Sequence, residues 1–191
     1  SELKTTISDL VNRTDLTTAK IDRYVKLALD RINRQLRATF METEAKLTIG
    51  TESDADLPAD YLGTVSMYDD ATSAVYDPYV YKSFFDFKTI PSTTDGTRYY
   101  TRRNNKFYFK PGLAAAATVK LSYHARVAYP TGDTYEPELF KIAADLVVYG
   151  AAAHACAAFI DERTGDFNEA FGALLEEVKE HYASQSMSEG P

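Results

Sequence analysis

The chain has 191 residues, a formal net charge of −7 and one cysteine. This length suits one domain, or a domain with an insert, that buries about 70% of its unfolded surface and needs no disulfide or metal for stability. The acidic balance argues against a general nucleic-acid binder, which is usually basic. We recognise no signal peptide and no membrane span, and we therefore expect a soluble protein that is made in the cytosol.

Two helices are predicted before residue 40. Apolar residues recur at helical spacing over residues 2–12. Thr17 or Thr18 can cap a second helix that extends to about Thr39. The apolar stripe of this helix consists of Ile21, Val25, Ala28, Ile32 and Leu36. We interpret the basic residues elsewhere on the helix as a solvated face, with a binding face as the alternative.

After the second helix the apolar period changes to two, which is typical of strands. Short strands are predicted at residues 46–49 and 63–68, and one helical turn at residues 83–87. Asp54 and Asp56, between the first two strands, resemble the start of a calcium loop. Because the glycine and the closing glutamate of such a loop are missing, we predict no metal site there.

The clearest β signal lies at residues 97–110, which predict a hairpin. Its two-residue turn is Asn104-Asn105, because asparagine tolerates positive φ. The register pairs Arg103 with Lys106, Arg102 with Phe107, and Tyr100 with Phe109. One face then carries Tyr100, Phe107 and Phe109, and the other carries Tyr99, Thr101 and Tyr108. The like charges of Arg103 and Lys106 repel, so they must be solvated or matched by an acidic partner.

A third strand and two helices are predicted in the rest of the chain. Residues 118–127 alternate cleanly, with Val119, Leu121, Tyr123, Ala125 and Val127 inward. Residues 135–160 predict one long buried helix, capped by Thr134 and with Pro137 in its first turn. Asp166 is expected to cap a last amphipathic helix.

These elements predict an α+β fold in which the N- and C-terminal helix pairs form a four-helix bundle with an inserted antiparallel β-rich domain. The predicted boundaries are 1–40 and 131–184 for the two parts of the bundle, 41–130 for the insert, and 185–191 for a flexible C-terminal tail.

Few residues offer chemistry. His124, His154 and His181 have no ligand spacing, and we interpret His154 as a satisfied core or interface histidine. Cys156 is interpreted as a small core residue. No phosphate-binding glycine motif occurs. We therefore predict no cofactor, no metal site, no catalytic residue and no enzymatic activity. An enzyme that uses Cys156 or a carboxylate pair is the last alternative.

The hairpin interleaves basic and aromatic side chains, which leaves three interpretations open. The residues are Arg98, Arg102, Arg103, Lys106 and Lys110, with Tyr99, Tyr100, Phe107 and Tyr108. They can protect a sheet edge, contact another protein, or bind single-stranded nucleic acid. The last interpretation is the alternative function for residues 97–110.

Several stretches resemble the head-to-tail adaptor proteins of tailed phages, and in particular the tail tubular protein A-like adaptors of short-tailed phages. They follow one another in order along nearly the whole chain. These stretches are Leu10–Leu16, Leu27–Arg37, Leu57–Leu62, Val119–Tyr123, Leu146–Ala152 and Phe159–Arg163.

The resemblance implies a virion protein at the head–tail junction, assembled in the host cytoplasm. Its partners would be the portal protein and a tail tube or nozzle protein. Its copies would form a ring, commonly of twelve, around a channel through which DNA passes without sequence-specific binding. The resemblance implies no membrane partner.

Two sets of contact residues are predicted within this role. The portal set lies at the end of the last helix and beyond it, and comprises His181, Tyr182, Gln185, Met187 and Pro191. The set for the tail or a neighbouring subunit lies on the hairpin, and comprises Tyr99, Arg102, Arg103, Lys106 and Tyr108.

Overall fold

A computed structural model describes residues 2–70, 78–91, 96–130 and 137–188, with side chains as far as Ala183. The described residues contain six helices and seven strands, which form two sheets. The helices are α1 Glu2–Val11, α2 Thr18–Gln35, α3 Phe84–Thr89, α4 Glu138–Ile142, α5 Ala144–Ala158 and α6 Thr164–Ser188. The strands are β1 Glu42–Thr48, β2 Asp54–Asp56, β3 Tyr61–Asp69, β4 Val80–Tyr81, β5 Tyr99–Arg103, β6 Lys106–Lys110 and β7 Thr118–Ala125. The predicted α+β class is confirmed.

The chain divides into two compact units. The helical unit falls within Ser1–Phe40 and Arg126–Pro191, and the β unit is Met41–Ala125. Arg126 and Val127 go with the helices because the side chain of Asn33 exchanges two hydrogen bonds with the Val127 backbone, at 3.0 and 2.9 Å.

The centre of the helical unit is α5, which contacts α1, α2, α4 and α6. It is apolar and carries no wide polar face, so its neighbours cover it on most sides. Nine of its residues are buried: Leu146, Val147, Val148, Gly150, Ala151, Ala152, Ala153, Ala155 and Cys156. Small residues bring the neighbouring helices close, and a β-carbon built at Gly150 would lie only 2.9 Å from the Phe171 ring.

The predicted single helix over residues 135–160 is wrong, because two helices stand there. The backbone breaks at Ala143, where φ is −145° and ψ is 57°. The new helix begins at Ala144, and Asp145 in its first turn accepts a hydrogen bond from the Leu146 N–H at 2.8 Å, where an acidic residue is favourable. Pro137 precedes α4 as its N-cap residue, and the predicted cap Thr134 lies outside the described residues.

Other helix ends also differ from the predictions. The N-cap of α2 is Thr17, as predicted, and its hydroxyl accepts from the Lys20 N–H. This helix stops at Gln35 because the fully buried Leu36 adopts an extended backbone. The last helix begins at Thr164, so Asp166 lies inside its first turn and does not cap it. Its helical backbone continues through Ser188.

The β unit encloses one apolar core between its two sheets. The strand orders are β1-β7-β3 and β2-β6-β5-β4. β7 is central in the first sheet, and its inward residues Val119, Leu121 and Tyr123 are buried, as the alternation predicted. The core also takes Met67 of β3 and aromatic side chains of the second sheet. The aromatic members are Tyr79, Tyr100, Phe107 and Phe109.

Candidate protein-interaction site

The β5–β6 hairpin has the predicted register, with Arg103 opposite Lys106, Arg102 opposite Phe107 and Tyr100 opposite Phe109. The turn differs in one respect, since Asn104 adopts positive φ (53°) and Asn105 does not. One left-handed residue is therefore enough to close this turn. The face predicted to be apolar is the buried one, because Tyr100, Phe107 and Phe109 all belong to the core.

Three of the hairpin's five cations are held inside the β unit. Arg98 forms an ion pair with Asp69. Lys106 pairs with the buried carboxylate of Asp54 at 2.5 Å, and this hydrogen bond raises the pKa of the lysine. The Lys110 ammonium donates to the carbonyls of Phe87 and Ile90 at 2.8 and 2.7 Å. These charges stabilise the sheet and its connection to α3.

The sequence did not predict the partner of Lys106. Asp54 and Asp56 lie on β2, an edge strand that pairs with β6 and places Asp56 opposite Lys106. Three residues are too short for a visible strand period. The usable signal was charge, because Lys106 required an acidic neighbour and residues 52–56 are an acidic run.

The remaining two cations, Arg102 and Arg103, have no carboxylate partner among the described residues. The Arg102 guanidinium lies 5.7 Å from the Tyr61 ring centroid. The Arg103 guanidinium lies 4.5 Å from the ring of Phe84, the first residue of α3. Both side chains are exposed, so both are available to a carboxylate of another molecule.

A small cleft of about 270 Å³ lies beside Arg102. Its walls come from four strands and are Tyr61, Thr64, Tyr81, Tyr100, Arg102 and Phe107. The hydroxyls of Tyr61 and Thr64 are hydrogen-bonded at 2.8 Å, and burial raises the pKa of Tyr100. The cleft thus combines aromatic walls, hydroxyl groups and one guanidinium. The hairpin prediction includes Tyr100, Arg102 and Phe107 but not Tyr61, Thr64 and Tyr81, because the approach of their strands depends on the packing of the two sheets.

The other predicted hairpin residues lie on the opposite face. Tyr99 and Tyr108 are half-buried, and the Lys82 ammonium lies 5.6 Å from the Tyr99 ring centroid. Thr101, between them, is fully buried. This face is therefore covered in part by its own unit. Arg102, Arg103 and Lys106 are the exposed members of the predicted set, and Lys106 is held by Asp54.

The predicted portal set lies in the helical unit. The Tyr182 ring packs edge-on against Phe40 with centroids 5.1 Å apart, and burial raises the pKa of its hydroxyl. His181 is exposed and contacts the Tyr182 ring at the same centroid distance. Gln185 and Met187 continue the backbone of α6, and Pro191 lies outside the described residues. Tyr182 therefore also anchors the end of α6 to its own unit.

The comparison with protein families decides the class of this protein. The family model described as SU10 adaptor protein matches residues 1–190. The chain belongs to this adaptor family. The predicted resemblance to phage head-to-tail adaptors is thereby confirmed, and membership supports a structural role in the virion. A comparison with curated protein sequences gives no significant match.

The adaptor's single cysteine and its central histidine lie on α5. Cys156 is fully buried, and burial raises the pKa of its thiol, which disfavours the nucleophilic thiolate. The Nε2 atom of His154 is buried without a hydrogen-bond partner among the described residues, so the prediction of a satisfied core histidine is wrong, and an interface histidine stays a prediction. Burial, and then the charges of Arg31 and Arg34, lower its pKa and favour the neutral ring.

Metal-ligating side chains do not cluster in the described part of the adaptor. No cluster of three or more His, Cys, Asp or Glu side chains in these residues is arranged to hold a metal ion. Asp54, one half of the suspected calcium motif, is engaged by Lys106. None of the described helices is long and apolar enough to span a membrane.

Proposed function

We propose that this protein is the subunit of a ring, of about twelve copies, that lies beneath the phage portal and joins it to the tail. The observation that carries this proposal is the match to the adaptor family over residues 1–190. The four helices α1, α2, α5 and α6 would act as one bundle, and the β unit would be an insert in the chain between α2 and α4. The ring would be a virion component that assembles in the host cytoplasm.

Imaging tests the ring directly. Purified protein, alone and mixed with its portal, is examined by negative-stain electron microscopy. We expect closed rings of about twelve copies, each attached to a portal. Particles in which the portal carries no added density would contradict the proposal.

The channel of such a ring would be crossed by DNA that is not retained. An excess of negative charge repels phosphates, so the net charge of −7 suits a passage for DNA better than a binding site.

The portal-facing part of the subunit would be the end of α6 and the residues after it. Removing residues 183–191 shortens this helix but keeps Tyr182 and its contact with Phe40, so the helical unit should still fold. We expect the truncated protein to lose portal binding in a pull-down while its circular dichroism and thermal transition stay close to wild type. Undiminished binding by the folded, truncated protein would exclude this segment as the portal contact.

The tail component or a neighbouring subunit would meet the hairpin tip. Arg103 is exposed over the half-buried ring of Phe84, so the tip offers a cation that lies on an aromatic ring. Phe85, the residue after Phe84, is 84% exposed. Reversing the charge at Arg103 and Lys106 (Arg103→Glu and Lys106→Glu) should impair tail attachment in an assembly assay. Because Lys106 also stabilises Asp54, the single variant Arg103→Glu is the cleaner probe. Normal attachment with this variant would remove the tip from the tail interface.

A further inference from the structure

One residue of the hairpin does not fit the face on which it lies. Residues opposite each other in an antiparallel pair share a face, so Arg102 points to the same side as Phe107. That side is the core face, on which Tyr100, Phe107 and Phe109 are buried. Arg102 itself is exposed, and its guanidinium has no carboxylate partner among the described residues.

The surroundings of Arg102 indicate what would match it. The cleft beside it presents the hydroxyls of Tyr61, Thr64 and Tyr100 together with the five N–H donors of the guanidinium. These groups can donate several hydrogen bonds to one anion, and a guanidinium binds a carboxylate with two parallel N–H···O bonds. The aromatic walls also suit the short aliphatic stem that carries such a carboxylate.

The size of the cleft favours one protein side chain over a whole small molecule. Its volume is about 270 Å³, below the range of about 300–1,000 Å³ that is usual for ligand pockets. One of its walls is Tyr81, an exposed residue of β4, the strand at one edge of the second sheet. The cleft is therefore accessible where a neighbouring protein could lie along a sheet edge.

The opposite edge of the same sheet carries the complementary charge. This edge is β2, and the acidic run around it includes the exposed residues Glu52 and Asp56. Asp56 is 82% exposed and lies 3.8 Å from Lys106, at the limit of an ion pair. Glu52 has no ion-pair partner within the described residues. The β2 edge thus offers a carboxylate, and the cleft towards the β4 edge can bind one.

We propose that the cleft at Arg102 receives Glu52 or Asp56 of a second copy of this chain, so that adjacent subunits join edge to edge through their β units. The contact is between two different surfaces and can repeat from copy to copy, which generates a closed ring when the rotation between copies is right. The inference rests on the proposed ring, to which it assigns the residues of the subunit contact.

Two complementary variants test the contact. Arg102→Ala removes the cleft's cation and leaves the acidic edge, whereas Glu52→Ala with Asp56→Ala removes the acids and leaves the cleft. All three residues are exposed, so both proteins should fold. In sedimentation velocity, wild type should self-associate in a concentration-dependent way. Each variant alone should associate about tenfold more weakly or stay monomeric. An equimolar mixture retains one intact contact per pair and should form dimers and nothing larger.

Cysteine trapping gives a second measurement. Copies with Arg102→Cys are mixed with copies with Glu52→Cys and oxidised, and the native Cys156 is buried and does not interfere. We expect disulfide-linked dimers from this pair and few from the control pair of Arg103→Cys with Glu52→Cys, because Arg103 points to the other face.

The outcomes separate this inference from the proposed function. Wild-type protein that stays monomeric, variants that associate like wild type, or a mixture that forms no dimer would each overturn the contact. If the contact fails in this way while rings still form on the portal, the adaptor function stands and the subunits join through other residues. If no rings form on the portal, the proposed function itself fails.

Discussion

Ile160 occupies a position that normally belongs to glycine. It follows the C-cap of α5, where its N–H donates to the Ala157 carbonyl and the N–H of Asp161 donates to the Cys156 carbonyl. This pair of hydrogen bonds defines a helix ending whose first residue after the cap adopts the left-handed conformation, and here φ is +56°. An L residue in this conformation costs about 1–2 kcal/mol, and a β-branched one is rare. The side chain of Ile160 is 95% exposed, so burial does not offset this cost.

We therefore predict that Ile160→Gly stabilises the protein. Relief of the strained backbone should outweigh the extra entropy of glycine in the unfolded chain and leave a net gain of about 1 kcal/mol. For a chain of this size that gain raises the Tm by about 2–4 °C. Thermal unfolding followed by circular dichroism measures it. Ile160→Val keeps the branched β-carbon and should show no gain, and a lower Tm for the glycine variant would refute the prediction.

The ion pair of Asp161, the residue after Ile160, makes the stability of the folded protein depend on pH. The Arg163 guanidinium and the Arg163 backbone N–H both bond to the Asp161 carboxylate and lower its pKa from 3.8 to about 2. Because the folded state holds the carboxylate ionised, its contribution to stability is complete above about pH 4. The contribution is lost as the pH falls from there towards 2.

We expect Asp161→Asn to unfold with a shallower dependence on pH between about 4 and 2 than wild type, while the rest of the acid transition is kept. Urea unfolding at a series of pH values measures this. Arg163→Met removes the cause of the lowered pKa and should flatten the same window. An Asp161→Asn protein with a wild-type pH dependence there would show that the ion pair is not the source.

Close packing of α2, α5 and α6 depends on Gly150, which has no side chain. A β-carbon at Gly150 would lie 2.9 Å from the Phe171 ring of α6 and 3.0 Å from the Ala28 β-carbon of α2. Three helices thus meet at this glycine, and both neighbours are fully buried. Close-packed interiors do not absorb an added methyl group without a shift of the elements around it.

We predict that Gly150→Ala destabilises the protein by about 1–3 kcal/mol, although alanine is the better helix former. The matched control is Gly172→Ala on α6, where an added β-carbon meets nothing within 4 Å. This control should gain up to about 1 kcal/mol from helix propensity alone. Urea unfolding of both variants gives the comparison. Equal stabilisation by the two substitutions would show that α5 is not closely packed at Gly150.

Among the helices and strands, the sequence patterns predicted those features that depend on residues close together in the chain. The hairpin register followed from Asn104-Asn105 and the alternation beside it, and the burial of β7 followed from its period. The break at Ala143 was missed because both flanking segments are apolar, and hydrophobicity alone does not locate a helix end. The cleft at Arg102 was missed because it needs Tyr61 and Tyr81 from distant parts of the chain. Such contacts depend on how sheets pack, which no short window of sequence contains.

For the molecule as a whole, charge argues against the alternative of single-stranded nucleic-acid binding. The chain carries 28 acidic and 21 basic residues, so its long-range field repels phosphates. The hairpin is the basic segment that was proposed to bind nucleic acid despite this repulsion. In the structure its cations Arg98, Lys106 and Lys110 are held by groups of the same unit. Phe107, a candidate for base stacking, is fully buried. Two cations remain, which is fewer than a backbone-tracking groove needs.

We therefore predict that the protein does not shift single-stranded DNA in a gel at micromolar concentration, even at low salt, where phosphate contacts are strongest. Asp54→Asn with Asp56→Asn frees Lys106 and reduces the negative charge by two, so it is the variant most apt to gain binding. Wild type and this variant are compared in the same assay over a salt series. A wild-type shift that weakens steeply with salt and disappears with Arg102→Glu and Arg103→Glu would favour the nucleic-acid alternative. A shift that survives those substitutions would come from another surface, because a binding groove on the hairpin requires Arg102 and Arg103, the two cations with no carboxylate partner in the described part of the β unit.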